Sequence, residues 1–362
     1  MALSKKSASA LTEKEGVVQP PRVNAIVAAQ VQVLRTKSLD IAILSQQLLA
    51  GNITALSQGI TLIESTQAKH QELASSLIAK CLPHANRSIR IGITGVPGVG
   101  KSTFIEAFGN YLTSLGKKVA VLAVDPSSSL SKGSILGDKT RMEELVKNPN
   151  AFIRPSAAGT TLGGVARKTR ETIVLCEASG YDTILIETVG VGQSETAVHS
   201  LVDFFLLLNI AGAGDELQGI KRGIMEMADA IVINKADGDN LKKAQLARAE
   251  FGRALHLFPA KPSGWQPVAL CCSALTQTGI PEIEQLLTTY LNQVKAIGYF
   301  DQKRAEQNQY WMMETIHEQL NQHFFNQPER AALVEQYKKA VRENKLSPFE
   351  AAQLVLAHYF TS

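Results

Sequence analysis

The chain has 362 residues, 37 Lys and Arg against 33 Asp and Glu, with 45% hydrophobic and 19% charged residues. That balance excludes a disordered polyelectrolyte, and a net charge of +4 is too small to mark a nucleic-acid partner. The cysteines Cys81, Cys176, Cys271 and Cys272 form no C-x-x-C, so they read as buried thiols in a reducing compartment, not as a disulfide or metal framework.

Residues 1–35 open polar and carry Pro20-Pro21, which predicts a flexible tail. The first 16 residues lack the apolar core of a signal peptide, and Glu13 and Glu15 oppose a transit peptide. A helical region is expected over 36–86. Leu39, Ile43, Leu44 and Leu48, then Ile53, Leu56, Ile60 and Ile63, recur at helical spacing, with Asn52 after Gly51 as a cap between two helices.

The texture changes at about residue 87. Apolar runs at 89–94, 119–124, 151–154, 183–186, 204–210, 230–233 and 268–272 alternate with helical patterns. Most are continuously apolar, the mark of strands covered on both faces, so 87–295 is expected to be an α/β domain with a mostly parallel central sheet flanked by helices. The longest apolar stretch, 204–213, is broken by Asn209 and is far short of the ~18 residues of a membrane span. No membrane partner is expected, and the cytoplasm is the expected compartment. A C-terminal helical region, 296–362, carries Tyr310, Met313, Ile316, Leu320 and Phe324 on one stripe, flanked by Trp311, Met312 and Phe325. That stripe reads equally as packing or as a dimerisation arm. Ser347, Pro348 and Glu350 open a last helix with a cap, a proline at its first position and a reciprocal carboxylate.

The most informative segment is Gly95, Val96, Pro97, Gly98, Val99, Gly100, Lys101, Ser102 and Thr103, of which 95–102 fit G-x-x-x-x-G-K-[ST]. Glycines let successive backbone N–H groups turn inward around a polyphosphate. Lys101 then reaches the β- and γ-phosphates, and the Ser102 hydroxyl is placed for Mg²⁺. Asn234, Lys235 and Asp237 form N-K-x-D at a strand exit, where a carboxylate can accept both N1–H and the 2-amino group of guanine. Adenine offers no such donor pair. Ser273, Ala274 and Leu275 follow the last strand as a second base loop.

Asp125 and Glu187 end two strands on the expected γ-phosphate side, where they read as Mg²⁺ ligands or as simple strand-end caps. Asp138 is a further metal candidate, and Gln193 a candidate for orienting water. The glycine-flanked acidic loop at 212–221 reads as a third switch. Its Lys221 can stabilise charge on a transferring phosphoryl group, or be an ordinary solvated lysine. The seven histidines are scattered and read as structural.

In order, ITALSQGITLIEST, GVPGVGKST, AVDPSSS, GDKTRM, RPS with TLGG, ETVGVGQSE, GAGDELQGIK, NKAD and SAL resemble the MeaB/ArgK family of P-loop GTPases over about residues 40–295. The resemblance implies a GTP hydrolase with GTP and GDP as substrate and product, and a homodimeric chaperone of adenosylcobalamin-dependent methylmalonyl-CoA mutase that gates cofactor loading and protects or reactivates the mutase. It also implies Mg²⁺ at Ser102 and Glu187, switch roles for Asp125 and Asp138, and a partner-responsive third switch with Gln218 and Lys221. Two other readings stand beside it: a kinase of a periplasmic amino-acid-transport protein, and a nickel-insertion GTPase.

Overall fold

Seven strands pair in the order β3-β2-β4-β1-β5-β6-β7, and every neighbouring pair is parallel. They are β1 Ile89–Gly95, β2 Val119–Val124, β3 Ala151–Arg154, β4 Thr183–Thr188, β5 Phe204–Ile210, β6 Ala230–Asn234 and β7 Val268–Cys271. The sheet is thus wholly parallel, and β4 runs two residues beyond its apolar run to take in Glu187 and Thr188. The computed structural model describes residues 39–124, 142–155, 162–188, 194–212, 222–325 and 327–361, and Ile41–Ser362 form one compact unit. The tail expected over 1–35 lies outside the described residues.

Helices cover both faces, as a parallel sheet of continuous apolar strands requires. In chain order they are α1 Ile41–Leu49, α2 Ile53–Glu64, α3 Ala68–Cys81, α4 Lys101–Ser114, α5 Glu143–Lys147, α6 Leu162–Ala178, α7 Ser194–His199, α8 Arg222–Met227, α9 Leu241–Leu255, α10 Ile280–Ala296, α11 Tyr299–Phe325, α12 Pro328–Arg342 and α13 Pro348–Thr361. Asn52 caps α2 by accepting from the Ala55 N–H at 2.9 Å, and Ser347 Oγ accepts from Glu350 N–H at the start of α13. On one face Phe104 and Phe108 of α4 and Ile283 and Tyr290 of α10 pack on Ile91, Leu206 and Leu208. Each such buried side chain contributes roughly 1.5–3 kcal/mol. On the other face α6, α7 and the three N-terminal helices close over Ile184, Ile186 and Phe205. There α7 approaches β1 so closely that a Cβ on Gly92 would stand 3.1 Å from Val198 and 2.8 Å from Phe205. Gly92 is what lets that helix lie on the strand.

The long helix α11 is fixed by charge more than by its apolar stripe. Tyr310, Met313, Ile316 and Leu320 are exposed, whereas Arg304, Gln307 and Trp311 form the buried face. The reason lies under the start of β5. Arg304 donates to both oxygens of Asp203 (2.7 and 2.6 Å) and to the Ser88 carbonyl (2.8 Å), while Gln307 reaches the Val202 carbonyl and Trp311 the Ser200 carbonyl. Beside them Arg90, wholly buried, pairs with Glu177 of α6 at 2.9 Å. Burial alone pushes the Asp203 carboxyl up, but the Arg304 hydrogen bonds and the charges of Arg304 and Arg90 outweigh it and hold it below the usual carboxylate range. Removing one partner strands the other charge in the interior. Arg304→Ala is therefore expected to lower the unfolding free energy by about 3–5 kcal/mol in urea denaturation; a loss under about 1 kcal/mol would contradict this account of the helix anchor.

Candidate functional site

In a parallel sheet the crevice for ligands opens beyond the carboxyl ends of the strands, where successive connections diverge. Here that point is the end of β1, between β4 and β5. The chain leaves β1 at Gly95, where an added Cβ would meet the Leu208 carbonyl at 2.4 Å, so only glycine fits beside β5. It enters α4 through Gly100 in the left-handed conformation (φ 92°) with no side-chain cap. The first N–H groups of α4 are therefore left for an anion, with the helix dipole behind them. Lys101 Nζ donates to the Gly95 carbonyl at 2.8 Å and approaches that of Val96 at 3.4 Å, folded over the loop. Burial pulls the Lys101 ammonium below its ordinary value, and the charges of Glu187 and Glu195 oppose that shift.

Ser102 Oγ lies 3.5 Å from Glu187 Oε1, at the edge of hydrogen-bonding range. A hydroxyl and a carboxylate on facing elements, both at the phosphate end, form the hard-oxygen donor set that suits Mg²⁺ on a polyphosphate. Behind them the Thr188 hydroxyl donates to that of Thr94 at 2.9 Å, tying the ends of β4 and β1 together. Among the described residues no three of His, Cys, Asp and Glu gather into a metal cluster.

The second half of the site is built around Asn234, the buried last residue of β6. Its Nδ2 donates to the Val99 carbonyl in the phosphate loop at 2.9 Å, while its Oδ1 accepts from the Ala274 N–H at 3.2 Å and from Cys272 Sγ at 3.4 Å. One side chain thus fastens the phosphate loop to the base loop. Lys235 takes a left-handed conformation (φ 57°) and donates to the Gly98 carbonyl at 2.8 Å, its own carbonyl held by Asn240 Nδ2 at 2.7 Å. Asp237 accepts from Ser273 Oγ, which also accepts from the Thr276 N–H at 3.1 Å. Ser273 bridges to Thr278, so the loop is closed at its base while Leu275 stands 80% exposed.

The structure places residues 95–103, Glu187, Asn234, Lys235, Asp237 and Ser273–Leu275 at one end of the sheet. Asp125, Asp138, Gln193, Gln218 and Lys221 lie outside the described residues. Asn240, Cys272, Thr276 and Thr278 were not legible as parts of the site, because each acts on another residue of it.

Asn234→Ala is expected to cost roughly 1–3 kcal/mol of stability and to weaken nucleotide binding about tenfold or more, because both loops lose their shared fastening. Calorimetry beside urea denaturation checks this; unchanged binding in a folded variant would contradict it.

A sequence model of the family described as "Methylmalonyl Co-A mutase-associated GTPase MeaB" matches residues 56–329. The chain is 46% identical over 303 residues to "GTPase ArgK" of Escherichia coli, covering 84% of this chain and 92% of that one. It is 46% identical over 319 residues to the "Methylmalonic aciduria type A homolog, mitochondrial" of Mus musculus, covering 85% of this chain and 77% of that one. A crystal structure titled "LAO/AO transport system kinase" superposes with a TM-score of 0.71 at 39% identity, covering 90% of this chain and all of that one. With the phosphate loop and the N-K-x-D strand exit joined through Asn234, these likenesses establish that the chain belongs to the MeaB family of P-loop GTPases.

Proposed function

We propose that the protein is a Mg²⁺-dependent GTP hydrolase acting in the cytoplasm as a homodimeric chaperone of adenosylcobalamin-dependent methylmalonyl-CoA mutase, gating cofactor loading and protecting or reactivating the mutase. The observation that carries the nucleotide part is the Asn234 bridge, which holds an acidic base-reading strand exit against a polyphosphate loop. The mutase part is supported by the description of the family and by the mouse relative's name.

The chemistry of such a site is attack of water in line with the bond to the γ-phosphate, and the protein's task is positioning and charge neutralisation. The N–H groups of Gly98–Thr103 cradle the phosphates, and Lys101 exchanges the Gly95 carbonyl for phosphate oxygens. Asp237, oriented by Ser273, accepts from the guanine edge, with Ala274 and Leu275 over the base. Mg²⁺ bound through Ser102 and Glu187 would offset negative charge on the β- and γ-phosphates. Asp125 and Asp138 are proposed as switch carboxylates near that ion, with Gln218 and Lys221 as the partner-responsive third switch. Free thiols fit a reducing compartment, and among the described residues no helix is long and apolar enough to cross a membrane.

A second copy is the proposed occupant of the C-terminal helices. The stripe of Tyr310, Met313, Ile316 and Leu320 on α11 is exposed, and a groove of about 570 Å³ lined by Phe324, Val334, Tyr337, Val341 and Val355 lies between α11, α12 and α13. Exposed apolar surface of this kind favours association.

Asp237→Asn is expected to weaken GTP binding by about 10²-fold or more while improving that of xanthosine triphosphate, because the amide can donate to the 2-oxo group. Equal losses for both nucleotides in a calorimetric titration would contradict the base-reading role. Phosphate release is expected to rise when the mutase is added, and Lys221→Ala to keep GTP affinity while losing most of that rise. An unaltered stimulated rate would return Lys221 to the solvated surface, and label transferred from GTP to a periplasmic amino-acid-transport protein would favour the kinase reading.

A further inference from the structure

The positive charge of this chain is concentrated on one helix. Lys242, Lys243, Arg248 and Arg253 stand on α9 against the single carboxylate of Glu250, so the helix alone carries +3 of the chain's +4. All four cations are exposed, and among the described residues none of them enters an ion pair. Ala244, Phe251 and Leu255 form the inner face of α9, packed in one cluster with Ile231 and Ile233 of β6. Lys242, Leu246 and Arg253, spaced i, i+4 and i+11, therefore share the outward face. Leu246 lies between the two cations and is 67% exposed.

This ridge is anchored at both ends to parts of the molecule already described. Asn240, the residue before α9, holds the Lys235 carbonyl of the N-K-x-D segment at 2.7 Å. Beyond α9 the chain turns at 256–261 and is pinned to α8. There Lys261 Nζ donates to the Met227 carbonyl at 2.9 Å and to Asp229 at 2.6 Å, and the Arg222 guanidinium stands 5.9 Å from the centre of the Phe258 ring. Leu257, next to Phe258, is 84% exposed, and Arg222 directly follows Lys221 of the proposed third switch. The exposed surface thus runs from the base-reading segment along α9 to the residue that follows that switch.

Apolar side chains ringed by unpaired cations fit an acidic protein surface with an apolar contact at its centre. A bilayer fits less well, because the apolar face of α9 is already buried on the sheet and its outward face carries no aromatic residue. We infer that the outward face of α9, continued by Leu257 and Arg222, is the docking surface for an acidic face of the mutase partner. The inference rests on the mutase reading given above. It gives that partner a place on this chain, next to the switch proposed to answer to it.

The test is calorimetric titration of purified methylmalonyl-CoA mutase with the full chain loaded with the β,γ-imido analogue of GTP. Binding is expected to weaken about tenfold or more between about 50 and about 300 mM salt. Lys242→Glu combined with Arg253→Glu is expected to weaken it about tenfold or more at the lower salt, and Leu257→Ser about threefold, with GDP affinity within about twofold of natural in both. Lys80→Glu combined with Lys117→Glu, on α3 and ahead of β2, makes the same change of net charge off this surface and is expected to leave mutase binding within about threefold. Unchanged binding in the α9 variant, or an equal loss in the Lys80 and Lys117 control, overturns the inference. Sedimentation of the natural protein, but not of the α9 variant, with phosphatidylserine–phosphatidylcholine vesicles would place a membrane on this face and also overturn it. Failure of the natural protein to bind the mutase at all is a distinct result, since it overturns the mutase reading first and this docking surface with it.

Discussion

The two loops of the proposed nucleotide site are joined by one amide. Asn234 ends β6 in the protein interior, and its two polar atoms hold loops that come from opposite parts of the chain, Val99 on one side and Ala274 on the other. A buried amide with each end satisfied is rigid, because any rotation leaves a donor or an acceptor unpaired. The distance between the phosphate cradle and the base-reading carboxylate is thereby set by the sheet, through the β5–β6 and β6–β7 pairings that position Asn234 and Cys272. In the proposed function, recognition of a nucleotide as one object, phosphates and base together, rests on that fixed spacing.

The opposite end of the sheet carries the complementary constraint. Arg90, Glu177, Asp203 and Arg304 form a buried charged knot under β1 and β5. It binds α11 to the same two strands whose far ends build the phosphate site. Buried ion pairs are poor sources of net stability but strict about geometry, since one misplaced partner leaves an uncompensated charge. The helix that presents the exposed Met313–Leu320 face is thus held in a defined register on the nucleotide-binding core. Polar links continue this attachment along α6, where Arg167 pairs with Glu318 at 2.8 Å and Arg170 donates to Asn308.

Much of this was legible in the sequence, for identifiable reasons. All seven strands announced themselves as short, continuously apolar runs, because a parallel sheet buries both faces. Gly95, Gly100 and Lys101 were legible because few residue types can make that loop, and Asn52 and Ser347 because capping has its own short-range chemistry. What escaped was long-range. Arg304 and Gln307 read as ordinary polar positions on a helix, and only their burial partners, about a hundred residues away at Val202 and Asp203, reveal them as its inner face. The apolar stripe at 310–324 left packing and dimerisation equally open, since hydrophobicity alone cannot tell a packed face from an exposed one. Cys272 was silent for the same reason: it matters through Asn234, a neighbour brought near only by folding.

The most direct test of the account is competitive calorimetry on the natural protein with GDP, inosine diphosphate and ADP. With Asp237 in its proposed role of reading two donors on the guanine edge, the account predicts tight GDP binding, a loss of about tenfold or more for inosine diphosphate, which lacks the 2-amino group, and a loss of about 10³-fold or more for ADP. Comparable affinities for GDP and ADP would contradict it.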